Sequence, residues 1–332
     1  MDISKLPKVE LHCHLDGSLR VETVIEFAKK EEIVLESYEY GYVKNLLTVG
    51  ETCSSLDEYL QKFDLPNMVL QTRENLRRAA YELLEDAANE NVKYIEVRFA
   101  PIFHIKKGLK LEEVIQSVIE GIRDAEKIYD IKGNIIVSCI RGLGLEHVYE
   151  SIEAGEKFLG KGVVAIDLAA AEREDFVYEY VDAIKLAKEK GFRVTIHAGE
   201  TGFGKNVRDA IKLLGAERIG HGLFIYNDEE AYNLVKDLGV TLEMCPKSNI
   251  DTKAVNMYSE HPIYKYHKDG IKVNISTDNR TVSNISLNEE TNNVINTFNM
   301  TLDEYKEIYR NNVQAAFCDY RTKENLIKIF NA

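Results

Sequence analysis

The chain has 332 residues, 45% of them hydrophobic, which is enough to bury a large core, and α/β barrels of this length fold as one domain, here residues 1–332. Its net charge of −13 argues against a nucleic-acid partner, and no apolar run approaches the roughly 18 residues that cross a membrane. An N-terminus that enters the fold at once without a signal peptide, and 5 scattered cysteines with no Cys-x-x-Cys, predict a reduced cytoplasmic protein without disulfides or a thiolate zinc site.

The first predicted elements are a strand over residues 9–14, which ends in a turn at Asp16-Gly17, and a helix over 19–30. The stretch from there to about residue 66 is long for a connection, so we expect it to cover something. Within it, Ser54 or Ser55 can cap a short helix whose apolar side chains recur at i, i+3, i+4 and i+7. These side chains are Leu56, Tyr59, Leu60 and Phe63. The spacing alone favours an apolar face packed on the body of the protein over a lid that closes on a ligand.

After this stretch, apolar strands alternate regularly with helices. Counting the first strand, the predicted strands are residues 9–14, 92–99, 133–139, 163–168, 192–197, 218–220, 240–244 and 271–275. The helices that follow are predicted at 73–89, 111–129, 145–158, 176–189, 207–214, 229–238 and 264–268, with additional helices at 287–298, 302–316 and 322–330. Alternation of this kind predicts an α/β fold in which the parallel strands close into a (β/α)8 or TIM barrel with additional helices.

Side chains that bind metals or transfer protons occur where four of these strands end. They are His12 and His14 after the first strand, His197 and Glu200 after the fifth, His221 after the sixth, and Asp278 after the eighth. The active sites of such barrels lie at this end of the strands. Because side chains alternate along a strand, His12 and His14 point the same way and can bind one ion. Their coincidence at one rim predicts a metal centre rather than separately hydrogen-bonded core residues.

Three histidines and one aspartate suit one borderline divalent ion, with zinc as the first expectation and Co, Fe, Ni or Mn as substitutes. Such a set leaves a position for a water, whose pKa the metal lowers towards neutrality so that it acts as hydroxide. A glutamate beside the metal can deliver a proton to a ring nitrogen, and a further histidine can orient the hydroxide. This predicts hydrolysis or hydrolytic deamination without an organic cofactor. The other histidines are expected on the surface: His104, His147, His261 and His267.

Several segments carry a resemblance to a known family. They are PKVELHCHLDGS (7–18), YIEVRFAP (94–101), HAGE (197–200), RIGHG (218–222) and STD (276–278). In these segments, from the first strand to the last helices, the chain resembles the adenosine deaminases of the metal-dependent amidohydrolase superfamily. The resemblance implies zinc-dependent hydrolytic deamination of adenosine and 2′-deoxyadenosine to inosine and 2′-deoxyinosine plus ammonia, with a small nucleoside as the substrate.

The resemblance also implies a role for individual residues. The implied metal ligands are His12, His14, His197 and Asp278. Glu200 is implied to donate a proton to purine N1, while His221 aligns the hydroxide and Asp278 also contacts it. Asp16 is implied to hold the ribose 5′-hydroxyl, and His14 is expected beside the substrate as well. The apolar residues that match the family's lid helix after the first strand are Leu56, Tyr59, Leu60 and Phe63.

Four residues depart from the family's pattern. Asn279 stands where the family has an aspartate that hydrogen-bonds purine N7, and an asparagine amide donates to N7 at any pH. Ala170 and Ala171 replace a Gly-Asp pair, and Ala170 keeps its backbone N–H for purine N3 unless the backbone requires a positive φ. Arg280 replaces a proline and is expected to add a charge near the pocket, which would favour an anionic or substituted substrate.

Three other interpretations stay open beside this one. The first is a related hydrolase that acts on another aminated ring, such as adenine, an N6-substituted purine or a pterin. The second is a two-metal ester or amide hydrolase on the same barrel. That enzyme would need a bridging lysine at the end of the fourth strand, where the chain has Asp167-Leu168-Ala169-Ala170. The third is a non-catalytic metal or nucleoside binder, which would need neither Glu200 nor His221.

Overall fold

Parallel strands form the centre of the computed structural model, which describes residues 2–50, 53 and 55–330. Within that part of the chain there are eight strands: β1 (Lys8–His14), β2 (Val92–Phe99), β3 (Lys132–Ile140), β4 (Val163–Ala169), β5 (Arg193–Ala198), β6 (Arg218–His221), β7 (Thr241–Met244) and β8 (Val273–Ile275). Each pairs in parallel with the next. Just beyond β8, the Asp278 N–H donates to the His12 carbonyl at 3.0 Å, and the His14 N–H donates to the Asp278 carbonyl at 2.7 Å. These bonds bring the chain after β8 back to β1, and the predicted (β/α)8 barrel is confirmed.

Helices surround this barrel. Among the described residues the α-helices are Val21–Lys30, Tyr40–Leu47, Leu56–Leu60, Asp64–Val69, Arg73–Asn89, Leu111–Ala125, Glu146–Glu156, Val181–Glu189, Gly204–Asp209, Glu229–Leu238, Pro246–Asp251, Ile263–Lys268, Leu287–Phe298, Leu302–Ala315 and Tyr320–Ile329. Of the helices in this described part, none combines the length and the hydrophobicity of a membrane span.

Capping side chains explain why the best-predicted helices begin where they do. The hydroxyl of Thr72 accepts the Asn75 N–H at 3.2 Å, and the helix Arg73–Asn89 follows with its predicted bounds. Ser286 and Glu289 form a reciprocal capping box before Leu287–Phe298, which also keeps its predicted bounds. Where the sequence contains a capping residue, a few neighbouring residues are therefore enough to predict where the helix begins.

Short and irregular elements were predicted less well. The helix predicted over 176–189 begins as the 3₁₀ turn Phe176–Tyr180 and becomes α-helical only at Val181–Glu189. The helices Tyr40–Leu47 and Pro246–Asp251 were not predicted. Neither has a side-chain cap hydrogen bond, and helices this short depend on tertiary packing rather than on their own propensity.

The barrel interior contains buried charged side chains as well as apolar ones. Arg218 pairs with Glu96 at 2.5 Å and with Glu243 at 2.6 Å. Arg98 pairs with Glu243 at 2.6 Å and with Asp167 at 3.2 Å. Burial of a charge is tolerated when an opposite charge and hydrogen bonds compensate it, as they do here. These ion pairs connect β2, β4, β6 and β7 beneath the mouth of the barrel.

Candidate active site

The histidines and carboxylates predicted at the strand ends lie together at the mouth of the barrel. One ligand atom from each of four buried residues lies within 4.8 Å of the others, and these residues are His12, His197, His221 and Asp278. The Nε2 atoms of His12 and His14 both lie 3.3 Å from Asp278 Oδ1. Glu200 Oε1 lies 3.7 Å from His221 Nε2. The residues predicted for metal binding and for proton transfer are thus neighbours in space.

The chemistry of these side chains fits a divalent transition metal. His12 Nε2 is buried without a hydrogen-bond partner among the described residues, whereas its Nδ1 lies 2.9 Å from Glu243 Oε2. His197 Nδ1 likewise lies 2.9 Å from Asp167 Oδ2. A carboxylate behind each ring keeps the proton on Nδ1 and leaves the Nε2 lone pair for a metal. Burial lowers the pKa of His12 and of His14, which keeps both rings neutral, as metal ligands have to be.

One arginine holds both of these supporting carboxylates. Arg98 donates from Nη2 to Glu243 at 2.6 Å and from Nη1 to Asp167 at 3.2 Å, and Nη2 also donates to the Leu11 carbonyl at 2.7 Å. Sequence reasoning missed the roles of Arg98, Asp167 and Glu243. The signal that could have found them is a charged residue inside an apolar strand, because such a residue needs a buried partner.

A further carboxylate shapes the loop that presents Glu200. Glu172 accepts the backbone N–H groups of Gly199, Glu200 and Thr201 at 2.8, 2.9 and 2.9 Å. Gly199 has a φ of 67°, and a Cβ there would lie 2.6 Å from the Val207 side chain. The position therefore requires glycine. Sequence reasoning missed Glu172, whose contacts hold the loop without using the Glu200 side chain.

The predicted lid faces the site. Ser55 caps the helix Leu56–Leu60 by accepting the Glu58 N–H at 3.2 Å, while Ser54 lies outside the described residues. The apolar residues of the predicted lid line a cavity of about 50 Å³: Leu56, Tyr59, Leu60 and Phe63. On its other side this cavity is lined by His14, His197, Glu200, His221 and Asp278. The apolar stripe thus lies over the candidate site, which its spacing alone had not favoured.

A larger cavity of about 510 Å³ adjoins the small one and shares His14 and Ala170 with it. Its volume is typical of a ligand pocket, whereas that of the small cavity beside Glu200 is not. Asp16 lines the larger cavity, and its buried Oδ1 has no hydrogen-bond partner among the described residues. Burial raises the pKa of Asp16 to about 7. His104 Nε2 lies 4.0 Å from its other oxygen.

Comparison with known proteins agrees with this geometry. The family described as adenosine deaminase matches residues 7–331. The chain belongs to the adenosine deaminase family. An adenosine deaminase from Clostridium perfringens (strain ATCC 13124) is 67% identical over 326 residues, which are 98% of this chain and 98% of that one.

Solved structures of other deaminases share the fold at much lower identity. An adenine deaminase from Arthrobacter aurescens has a TM-score of 0.90 over 98% of each chain, at 22% identity. The N6-methyl-AMP deaminase from Arabidopsis thaliana has a TM-score of 0.87, at 26% identity, over 99% of this chain and 97% of its own. The likeness to the adenine deaminase shows the fold alone.

Asn279, a departure from the family's pattern, lines the small cavity, and its buried Oδ1 has no hydrogen-bond partner among the described residues. Its Nδ2 donates to the Tyr59 hydroxyl at 3.0 Å, and that hydroxyl lies 2.9 Å from Ser283 Oγ. Its Oδ1 packs so closely against Gly17 that a Cβ there would lie 1.9 Å away. An amide nitrogen has two hydrogens, so Asn279 has a second N–H besides the one that it donates to Tyr59.

We predict that kcat/KM for 7-deazaadenosine, which lacks the N7 acceptor, is about tenfold or more below that for adenosine. An unpaired buried donor costs about 1–3 kcal/mol, and Asn279 would be left with one. Tyr59→Phe should narrow the difference because the amide loses the hydroxyl that orients it, and Asn279→Ala should nearly abolish it. Steady-state kinetics on both nucleosides measures this. Equal values for the native enzyme would show that Asn279 does not contact N7.

Ala170 carries backbone strain at the edge of the pocket. Its φ is 75°, in the left-handed region that costs an L-residue about 1–2 kcal/mol and that glycine adopts freely. The backbone at this position thus does take a positive φ, and Ala170 adopts it despite its Cβ, so the replacement of glycine keeps the backbone N–H at the cost of strain. Ala171 beside it is exposed, and nothing in the structure explains the loss of the family's aspartate there.

We predict that Ala170→Gly raises the free energy of unfolding by about 0.5–1 kcal/mol. Relief of the strained φ outweighs the larger entropy of glycine in the unfolded chain, which costs about 0.4–1 kcal/mol. Urea unfolding should show a higher midpoint at an unchanged slope. Ala169→Gly is the matched control and should destabilise the protein, because Ala169 belongs to β4 and has no positive φ to relieve. A lower midpoint for Ala170→Gly would contradict the assignment of strain.

The expectation for Arg280 is wrong. Its side chain is buried and pairs with Glu10 and Glu90, each at 2.6 Å. Arg280 lines neither of the two cavities beside the candidate site. With two carboxylates bound to its guanidinium, it brings no free charge to the substrate. Both partners lie more than 180 residues away in sequence, which is why the pairing was not foreseen.

The four histidines predicted to be on the surface are also buried: His104, His147, His261 and His267. An imidazole can be buried when its nitrogens are hydrogen-bonded, which holds for His147 and His261 but not for His104, whose two ring nitrogens have no hydrogen-bond partner among the described residues. His147 Nε2, for example, accepts the Ile140 N–H at 3.0 Å. A histidine in a loop or helix shows no sequence sign of which face it lies on, so the prediction failed.

Proposed function

We propose that the protein hydrolyses adenosine and 2′-deoxyadenosine to inosine and 2′-deoxyinosine, with release of ammonia. The observation that carries the proposal is the convergence of His12, His197, His221 and Asp278 within 4.8 Å, with Glu200 beside them. A non-catalytic binder would not need Glu200 or His221 there. Membership of the adenosine deaminase family supports the same reaction.

We assign one Zn²⁺ to this site, replaceable by another divalent transition metal, with His12, His14, His197 and Asp278 as ligands. Nitrogen donors with one carboxylate oxygen suit such an ion. When bound, it lowers the pKa of a coordinated water towards neutrality. Ser248 donates to Asp278 Oδ2 at 2.7 Å, which leaves Oδ1, the oxygen facing the histidines, for the metal.

Glu200 and His221 carry out the proton work in this proposal. Glu200 holds the proton that purine N1 takes up as C6 changes from trigonal to tetrahedral. His221, with its Nε2 3.7 Å from Glu200, orients the attacking oxygen towards C6, and Asp278 also contacts that oxygen. The C6–N bond to the amino group then breaks, and the amino group leaves as ammonia with the proton that the C6 hydroxyl gives up as it becomes the carbonyl. No organic cofactor is required.

The two cavities divide the substrate between them. The base lies beside Glu200 and Asn279, with purine N3 at the Ala170 N–H, and the ribose occupies the larger cavity. Asp16 has a buried oxygen free to accept the 5′-hydroxyl. That cavity is lined by two acidic side chains, Asp16 and Asp64, and by the single basic side chain Lys106. This balance favours a neutral nucleoside over a 5′-phosphate.

No feature of the site favours another aminated ring as the substrate. Arg280 was expected to favour an anionic or substituted purine, but its charge is neutralised by Glu10 and Glu90. Asn279 retains an N–H for a purine N7. Adenine and pterins lack the ribose that would fill the larger cavity.

The test is an ultraviolet assay of purified protein with adenosine, 2′-deoxyadenosine, AMP and adenine, with and without a chelator. We expect both nucleosides to be deaminated, AMP and adenine to react far more slowly, and the chelator to abolish turnover reversibly. Faster turnover of AMP or adenine than of adenosine would overturn the proposed substrate. Full activity after metal removal, confirmed by elemental analysis, would overturn the proposed chemistry.

A further inference from the structure

A chain of hydrogen bonds runs from the backbone to the ring of His221. The Ile263 N–H donates to His261 Nδ1 at 3.2 Å. His261 Nε2 lies 3.1 Å from Asn249 Oδ1, and Asn249 Nδ2 lies 3.2 Å from His221 Nδ1. Asn249, His261 and His221 are all buried, so water does not compete for these bonds. None of the proposed roles above uses Asn249 or His261.

The direction of every bond in this chain follows from its first member. A backbone N–H can only donate, so His261 Nδ1 has to be an unprotonated acceptor. Burial lowers the pKa of His261 to about 3, so the ring is neutral and its proton lies on Nε2. That N–H donates to Asn249 Oδ1, and the amide therefore presents its NH₂ group to His221. His221 Nδ1 is left as an acceptor.

The hydrogen-bond partner of His221 Nδ1 is of the opposite kind to those of His12 and His197. Their Nδ1 atoms face the carboxylates of Glu243 and Asp167, which can only accept, so their Nε2 atoms are free to bind a metal. His221 Nδ1 faces an amide donor, so in neutral His221 the proton lies on Nε2. A protonated nitrogen cannot bind a metal, so this Nε2 is not a ligand although His221 belongs to the same cluster.

We propose that Asn249 and His261 are positioning residues that fix the tautomer of His221. Because the proton of His221 lies on Nε2, His221 does not bind the metal. The Nε2–H is instead a hydrogen-bond donor to the attacking oxygen. The catalytic part of this inference rests on the proposed function. The helix Pro246–Asp251 supplies both Ser248, which bonds Asp278, and Asn249, so one short helix orients two residues of the site.

Asn249→Asp tests the direction of the last bond at nearly constant shape. The aspartate still accepts from His261, but it can only accept from His221, so the His221 proton has to move to Nδ1. We expect kcat for adenosine to fall about tenfold or more with KM little changed. Nitrogen-15 NMR of histidine-labelled protein should show an Nε2–H tautomer of His221 in the native enzyme and a protonated Nδ1 in the variant.

Two substitutions at His261 separate positioning from folding. His261→Gln retains an N–H that can donate to Asn249, so this variant should keep much of the native kcat. His261→Leu cannot donate to Asn249, and its kcat should fall by about the same factor as that of Asn249→Asp. His267→Gln is the matched control, because His267 is a buried histidine on the helix Ile263–Lys268 whose ring lies against Tyr264 and outside the metal cluster. We expect its kcat, KM and metal content to stay native.

The NMR measurement does not depend on turnover, so it separates this inference from the proposed function. A native His221 that carries its proton on Nδ1 would overturn the inference, and so would native kcat in Asn249→Asp. Failure of the native protein to deaminate adenosine, with the expected tautomer present, would instead count against the proposed function.

Discussion

Glu200→Gln is expected to lower kcat for adenosine by about 10²–10⁴-fold while leaving metal content and nucleoside binding close to native. The amide has the shape of the carboxyl group but cannot give a proton to purine N1. The loop itself should survive, because its three backbone N–H groups are bound by Glu172 and not by the Glu200 side chain. Kinetics, elemental analysis and calorimetry with inosine measure the three properties on one preparation.

The matched control for this substitution is Glu174→Gln. Glu174 is an exposed glutamate two positions from Glu172 and lines neither cavity, so its kcat should be native. Turnover of Glu200→Gln within a few fold of native would remove Glu200 from the chemistry. Loss of metal from the same variant would assign it to the metal centre instead.

His12→Ala is expected to reduce bound metal from about one equivalent per chain to near zero and to abolish turnover with it. The ring is fully buried, its Nε2 has no hydrogen-bond partner among the described residues, and the remaining ligands cannot replace the lost nitrogen. Elemental analysis after dialysis gives the stoichiometry. Glu243→Gln should weaken metal binding by a smaller factor, roughly 10–100-fold, because it loosens the support of His12 without removing a ligand.

His267→Ala controls for the removal of a buried imidazole as such, since His267 is buried but lies outside the metal cluster. It should keep its metal, even if its unfolding midpoint falls. Two equivalents of metal in the native protein would indicate a two-metal centre and contradict the single-ion assignment. A metal-replete His12→Ala would show that the ion binds elsewhere.

Local patterns in the sequence were enough for the barrel and for the site residues at its rim. The spacing of hydrophobic residues over short segments predicts the alternation of strands and helices. The carboxyl ends of parallel strands then meet at one edge of the sheet. Residues at those ends, such as His12, His197 and Asp278, could therefore be placed together without knowing any contact. The cap signals at Thr72 and Ser286 likewise set helix boundaries from a few neighbouring residues.

Only the tertiary structure showed which buried residues hydrogen-bond to the site residues and orient them. Glu243 lies within hydrogen-bond distance of His12, although the two are 231 residues apart in the sequence. Arg280 binds Glu10, from which it is separated by 270 residues in the sequence. The tautomer of His221 depends on an amide and a second imidazole from two other segments. A hydrogen bond between distant segments needs atoms within about 3 Å, and local periodicity does not specify positions that closely. The types of residue at the site could thus be predicted from the sequence, whereas their orientation and protonation required the packed barrel.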